Sequence, residues 1–435
     1  MSAEELNIRT DSEVSGTQSA LGPVERGERI DSIDVLRGVA VLGILTINIF
    51  LFGLPAELGK SPVLFIGDGV ANLTTYFIAF IAFEGSQRAI FSMLFGAGIV
   101  IFTSRMLNSE RAQFAKRIYY RRTWWLIVFG LVDAYLLLWL GDILFLYGVV
   151  GLVLYFARDW TPRRLLLIAG VILLVLCLVR LGISALYGFA KSIADDPVRA
   201  AMYGMDESVL DSIRPPSAEV LNESIATRGG GYLSAFGENA FYSLKSQTLN
   251  TILMLFWDAL ALMMIGMALF KMKVFSAFYS AKVYVLMTVL GLGVGYFVNW
   301  WEVHDTAQMD IYVPYFEWTY DIGRIANALG YVGLVMLICK LQILPMLRSC
   351  LAAVGRMALS NYVMQTIICN TMFVVFGLFG TFDLAQLYLV VLGIWATQLI
   401  YSPLWLNQFN YGPLEWLWRK LTYAGLAQRT ITMRQ

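Results

Sequence analysis

Histidine is almost absent from this 435-residue chain, His304 being the only one. One imidazole cannot build a multi-histidine metal centre, and no second one is available for a separate Ser–His relay. His304 itself reads as an ordinary loop histidine, since nothing around it has metal or nucleophile spacing. Cysteine is scarce too. Cys177, Cys339, Cys350 and Cys369 fall in or beside apolar runs without CxxC spacing, which argues against a disulfide framework and a zinc site. No metal and no covalently bound cofactor are expected. Charge is thin, at 14% of residues, and nearly balanced at +1, so nothing draws the chain toward nucleic acid.

Hydrophobic residues, by contrast, make up 58% of the chain, and the mean hydropathy is +0.65. Apolar runs near 20 residues recur from end to end, each long enough to cross about 30 Å of hydrocarbon. Aromatic residues gather at the ends of these runs (Trp124, Trp125, Trp300, Trp301, Trp416, Trp418), as interfacial belts require. The pattern predicts an all-α, polytopic integral membrane protein of about ten transmembrane helices, near 34–54, 88–106, 122–140, 142–158, 164–187, 249–271, 278–300, 320–341, 357–380 and 384–405. The stretch 72–83 is too short to span and reads as an interfacial or re-entrant helix.

Basic connectors at 105–122 and 158–164 belong in the cytoplasm, and the acidic 300–321 loop belongs outside. The expected location is the bacterial inner membrane with both termini cytoplasmic. The organisation read from the chain is a disordered segment 1–32, a five-helix half 33–187, an outer loop 188–248 of short amphipathic helices, a second five-helix half 249–423, and a tail 424–435.

Several polar side chains interrupt the apolar runs. In IDVLRGVAVLGILTINIFLF (33–52), Arg37 and Asn48 are eleven residues apart, about three turns plus roughly 20°, so they share one helix face ~16 Å apart. Asp133, Asp142, Asp258, Arg324, Asn327, Asn361, Gln365 and Asn370 are the others. Intramembrane charge is costly, so such groups should face protein or an internal cavity, and Asp258 is the sharpest case. Asp321, Arg324 and Asn327 cover one side of their helix, an arrangement suited to an internal ion pair. Interhelical glue is the bland alternative for any one of them. Together they favour a polar ligand, with Arg324, Asn327, Asn361 and Gln365 as candidate substrate contacts.

The stretches DVLRGVAVLGILTINIFLFGLP, FSMLFGAG, GDILFLYGVVGL, GRMALSNYVMQT and GPLEWLWRKLTY together resemble the YeiB-like bacterial membrane proteins, from about residue 30 to 423. That family is defined by a C-terminal domain of unknown function and supplies no reaction. Over the first two spans, the Arg-Gly followed by an apolar helix is also similar to transmembrane acyltransferases. These include the OafA-type O-acyltransferases and the lysosomal heparan-α-glucosaminide acetyltransferase. This wider resemblance implies that Arg37 holds the phosphates or pantetheine of a cytosolic acyl-CoA and that Asn48 lies where the acyl group meets its acceptor. The heparan enzyme's histidine after that asparagine has no counterpart here. A carboxylate must then act as base, with Glu57, Glu84, Asp133 and Asp258 the candidates.

Two readings of different classes follow. One is an acyltransferase that moves an acyl group from acyl-CoA to an envelope sugar or lipid, with Asn48, Asp133 and Asp258 at the chemistry. The other is a transporter or flippase whose permeation path is the same polar line. The expected partners are membrane lipid, acyl-CoA and an envelope glycan or lipid acceptor, and a homodimer is compatible with either reading.

Overall fold

In a computed structural model the protein is described over residues 31–58, 69–107, 114–194, 196–204, 216–308 and 317–424. The segment 1–30 and the tail 425–435, expected as disordered end and cytoplasmic tail, lie outside these residues. Helices account for the regular structure, and no strand occurs among the described residues. The first half comprises α1 (Asp31–Gly53), α2 (Val70–Ile78), α3 (Ser86–Leu107), α4 (Ala115–Leu131), α5 (Leu144–Leu154) and the long α6 (Pro162–Ala194). Three short helices follow, α7 (Pro197–Met202), α8 (Ala218–Gly229) and α9 (Tyr232–Lys245). The second half comprises α10 (Phe256–Lys271), α11 (Ala281–Gln308), α12 (Tyr320–Leu341), α13 (Pro345–Arg356), α14 (Ala358–Asn370), α15 (Leu384–Gln408) and α16 (Pro413–Tyr423).

Among the described residues eight helices are long and apolar enough to cross a membrane. Two of them, α6 and α11, turn Leu167, Leu174, Leu178, Val289 and Phe297 outward, a surface that only lipid or another apolar partner would cover. The protein is a multi-pass membrane protein.

Four π-helical stretches interrupt or extend the helices, at Ala79–Phe83, Val132–Leu136, Ser246–Leu255 and Thr371–Val375. The first continues α2 up to Glu84 and Gly85, where φ of +65° breaks the chain before α3. Glycine is suited to that left-handed conformation.

The expected spans 122–140 and 142–158 are not among the eight long apolar helices. Their helices form a short hairpin, and the second arm, Leu144–Ala157, is about 21 Å long at 1.5 Å per residue, short of a full crossing. The tip (Leu138, Trp139, Ile143) is buried in protein, with Trp139 stacked on Phe52 at 3.8 Å and α8 and α9 packed nearby. Hydropathy alone does not separate a tip covered by other helices from one that reaches the interface.

Small residues let the helices touch. A Cβ on Gly266 would fall on the Met93 carbonyl, and one on Gly96 would fall on the Met263 carbonyl, so α3 and α10 meet backbone to backbone. The same holds between α1 and α13, where Gly38 faces Leu351 and Gly355 faces Asp34. Gly266→Ala should therefore lower stability by about 1–3 kcal/mol through forced separation. Gly293→Ala, at a glycine with open space around it, should be neutral or slightly stabilising. Thermal unfolding of both variants in detergent checks the pair.

Candidate functional site

Two assemblies that carry charged side chains stand out among the described residues. The deeper is a charge network. Arg324, fully buried on α12, grips both oxygens of Asp258 on α10, with Nη1 donating to Oδ2 at 3.1 Å and Nη2 to Oδ1. Its Nε donates to Asp321 at 2.9 Å one turn earlier. Arg180 of α6 closes on the other oxygen of Asp321, and Arg88 of α3 lies 3.5 Å from Asp258. The Tyr320 hydroxyl donates to Glu84 at 3.1 Å and accepts from Arg88 at 3.4 Å. Three arginines thus meet three carboxylates, so the charges are balanced locally as low-dielectric burial demands. The ion pair expected at Asp321 and Arg324 is present within this network. Asp258 faces protein, with both its oxygens taken up by guanidinium groups.

The second assembly is a cavity of about 230 Å³ at the end where α1 begins and α13 and α16 meet it. Arg37, Arg122 and Arg356 line its mouth with Glu415 and Trp418. The α1–α13 backbone contact sets Arg37 beside Arg356, because Gly38 and Gly355 leave no side chain between the helices. Arg37 is braced by Asp34 at 3.0 Å, and the Arg122 guanidinium stacks on Trp418 at 3.6 Å. Glu415 caps the first turn of α14, accepting from the Leu359 amide at 2.7 Å and from the Ser360 amide at 3.1 Å and hydroxyl at 2.5 Å. Burial pushes its carboxyl above the usual range, against the lowering effect of the Ser360 bonds.

Inward from the mouth the lining is aromatic and aliphatic. Along α3 it runs from Phe102 to Phe91, eleven residues or about 16 Å of helix. Tyr147 and Tyr362 also line it. Tyr147 shares a 2.6 Å bond with Ser92, and the Tyr362 hydroxyl accepts from Trp139 Nε1 at 2.8 Å on the hairpin tip.

Of the residues singled out in the sequence, Arg37 lines this cavity. Asn48 is half-buried and is not among its lining residues. Between the two, Val41, Ile44 and Leu45 fill the shared face with packed side chains, so the helix offers no open column from one to the other. Asn327 donates to the Ile81 carbonyl at 2.9 Å and pins a π stretch. Asn361 donates to Val354 and Ser402, and Gln365 to Val41 and Gln398. These amides join helices, and the structure does not bring them to the cavity. Asp133 is buried near the hairpin tip.

Sequence reasoning missed Arg122, Arg356, Glu415 and Trp418. The basic run 105–122 speaks for orientation, Arg356 and Glu415 lie in the GRMALSN and GPLEWLW stretches that carry the family resemblance, and Trp418 reads as an interfacial aromatic.

Comparison with known proteins agrees with those motifs. Residues 269–425 match a family described as "Protein of unknown function (DUF418)". The uncharacterized protein YeiB of Escherichia coli is 30% identical over 413 residues, covering 91% of this chain and 96% of that relative. The chain belongs to the YeiB family. Another similar protein, uncharacterized YxaH of Bacillus subtilis, is 28% identical over 424 residues, covering 93% and 97%. No solved structure matches the chain. In this YeiB-family chain the matched region contributes Arg356, Tyr362, Glu415 and Trp418 to the cavity, while Arg37 and Arg122 come from the amino-terminal half.

Proposed function

We propose that this YeiB-family protein is a membrane acyltransferase of the inner membrane, taking an acyl group from cytosolic acyl-CoA for an envelope sugar or lipid. The observation that carries the reading is the cavity, with three arginines in its lining and an apolar body that follows about 16 Å of α3. Guanidinium groups suit phosphate because their planar forks donate in pairs, and Arg122 stacked on Trp418 is held ready for one. The apolar body suits a thioester arm and a short acyl chain, leaving the larger nucleotide at the mouth. The basic connector 105–122 leads into α4 at this end, which on the positive-inside rule is cytoplasmic, where acyl-CoA resides.

Within this reading Arg37, Arg122 and Arg356 bind the donor. Asp258 is unsuited to the base role, because both its oxygens face Arg324. Mass spectrometry of ligands released from the purified protein tests the proposal. Coenzyme A or an acyl-CoA supports it, whereas an intact solute of another class would argue for transport.

A pH dependence follows from Glu415. Its carboxyl is raised by burial, so it is neutral at low pH and becomes an anion beside the arginines as pH climbs through its elevated value. Coenzyme A affinity should therefore fall with rising pH over that window. Glu415→Gln should flatten this component of the pH dependence, while titration of the ligand's own phosphates is common to both proteins. Equal slopes in titrations of the two proteins would exclude Glu415 as the cause.

A further inference from the structure

The tip of the α4–α5 hairpin collects oxygens that have nothing to bind. Asp133 is 1% exposed, and neither of its carboxylate oxygens receives a hydrogen bond. The Thr366 hydroxyl and the Asp142 carboxyl adjoin it and are its near polar neighbours. Asn239 of α9 donates its amide to the Ala134 carbonyl at 2.8 Å, and Asn370 of α14 donates to the Leu137 carbonyl, which fixes both side chains around the same turn. Their own oxygens, also buried, are unpartnered. The Tyr232 hydroxyl meets the Leu136 carbonyl from above.

The groups left without a partner here, both Asp133 oxygens and the side-chain oxygens of Asn239 and Asn370, are acceptors, and the electrostatics compound the problem. Asp133 lies in the π-helical end of α4, where helix carbonyls already place negative charge. Asp142 is better placed, since it caps α5 with bonds from the amides of Leu144 at 3.0 Å and Phe145 at 2.8 Å. Among the described residues no arginine or lysine lies within 4 Å of Asp133. A buried carboxylate at a helix carboxyl end, beside a second carboxylate and two orphaned amide oxygens, calls for positive charge.

We propose that the hairpin tip binds one small hard cation, with Asp133 and the side-chain oxygens of Asn239 and Asn370 as ligands. The donor set is all oxygen, with neither thiolate nor imidazole, which favours an alkali or alkaline-earth ion over a transition metal. The ligands come from α4, α9 and α14, so the ion would clamp the outer helices onto the hairpin tip. The inference stands independently of acyl transfer.

The test is thermal unfolding of the full-length protein in detergent, in choline chloride and in matched ionic strengths of Na⁺, K⁺, Mg²⁺ and Ca²⁺. One of these cations should raise Tm by several degrees, saturably, over choline. Asp133→Asn keeps the shape but removes the charge, and should abolish that increment while still folding. Asn239→Ala should weaken it, and serves as the second variant if Asp133→Asn does not fold. Identical Tm in choline and in all four cations, or an undiminished increment in Asp133→Asn, would overturn the proposal in favour of a protonated carboxyl or a buried water.

Discussion

Asp258→Leu is expected to lower the unfolding free energy by about 3–5 kcal/mol, because it leaves the buried Arg324 and the half-buried Arg88 short of a carboxylate. A purely apolar interior would predict the reverse, since leucine is cheaper than aspartate in a membrane helix. The difference lies in the partners. Arg324 is fully buried, and its remaining carboxylate partner, Asp321, is already shared with Arg180. Asp258→Asn should fall between, retaining one acceptor oxygen and losing the charge. Combining Asp258→Leu with Arg324→Leu should recover part of the loss, since the pair is removed together. Chemical or thermal unfolding of the three variants in the same detergent decides it. Unchanged stability in Asp258→Leu would mean the network is not formed.

Much of this architecture was legible because hydrocarbon thickness is a strong constraint on helix length. Eight of the expected spans appear as long apolar helices. The packing of the α4–α5 hairpin was not legible, because hydropathy counts residues, whereas burial of its tip depends on Phe52 and α9, far away in sequence. Asp258 stood out since nothing basic is near it in the chain. Its partner Arg324 is 66 residues away, and Arg180 is 141 from Asp321. No periodicity reports such pairs.

The donor cavity was half legible. Arg37 could be found as a charge at the start of an apolar helix, but Arg122 looked like one more positive-inside residue. What separates it from Arg117 or Arg121 is its stacking on Trp418, an event between α4 and α16. The line from Arg37 does not continue along the cavity to Asn48, for a geometric reason. Helix periodicity gives a shared face, but it does not say whether a neighbouring helix packs against that face. Here Gln365 of α14 reaches the Val41 carbonyl between the two.

Arg122→Ala should weaken coenzyme A binding by about 1.5–3 kcal/mol, or roughly 10- to 150-fold, through loss of a charge-assisted contact. Arg122→Lys should recover only part, as an ammonium neither forks onto phosphate nor stacks flat on Trp418. Arg37→Ala should cost less, because Asp34 already takes up some of its charge. Asn48→Ala should leave donor affinity unchanged, its side chain being outside the lining. Calorimetric titration of coenzyme A into the purified wild-type protein, with Arg122→Ala as its control, tests the acyl-donor assignment most directly. Saturable binding that weakens in the variant while its Tm is retained is the predicted result. No detectable binding to stable wild-type protein, or equal affinity in both, would contradict it.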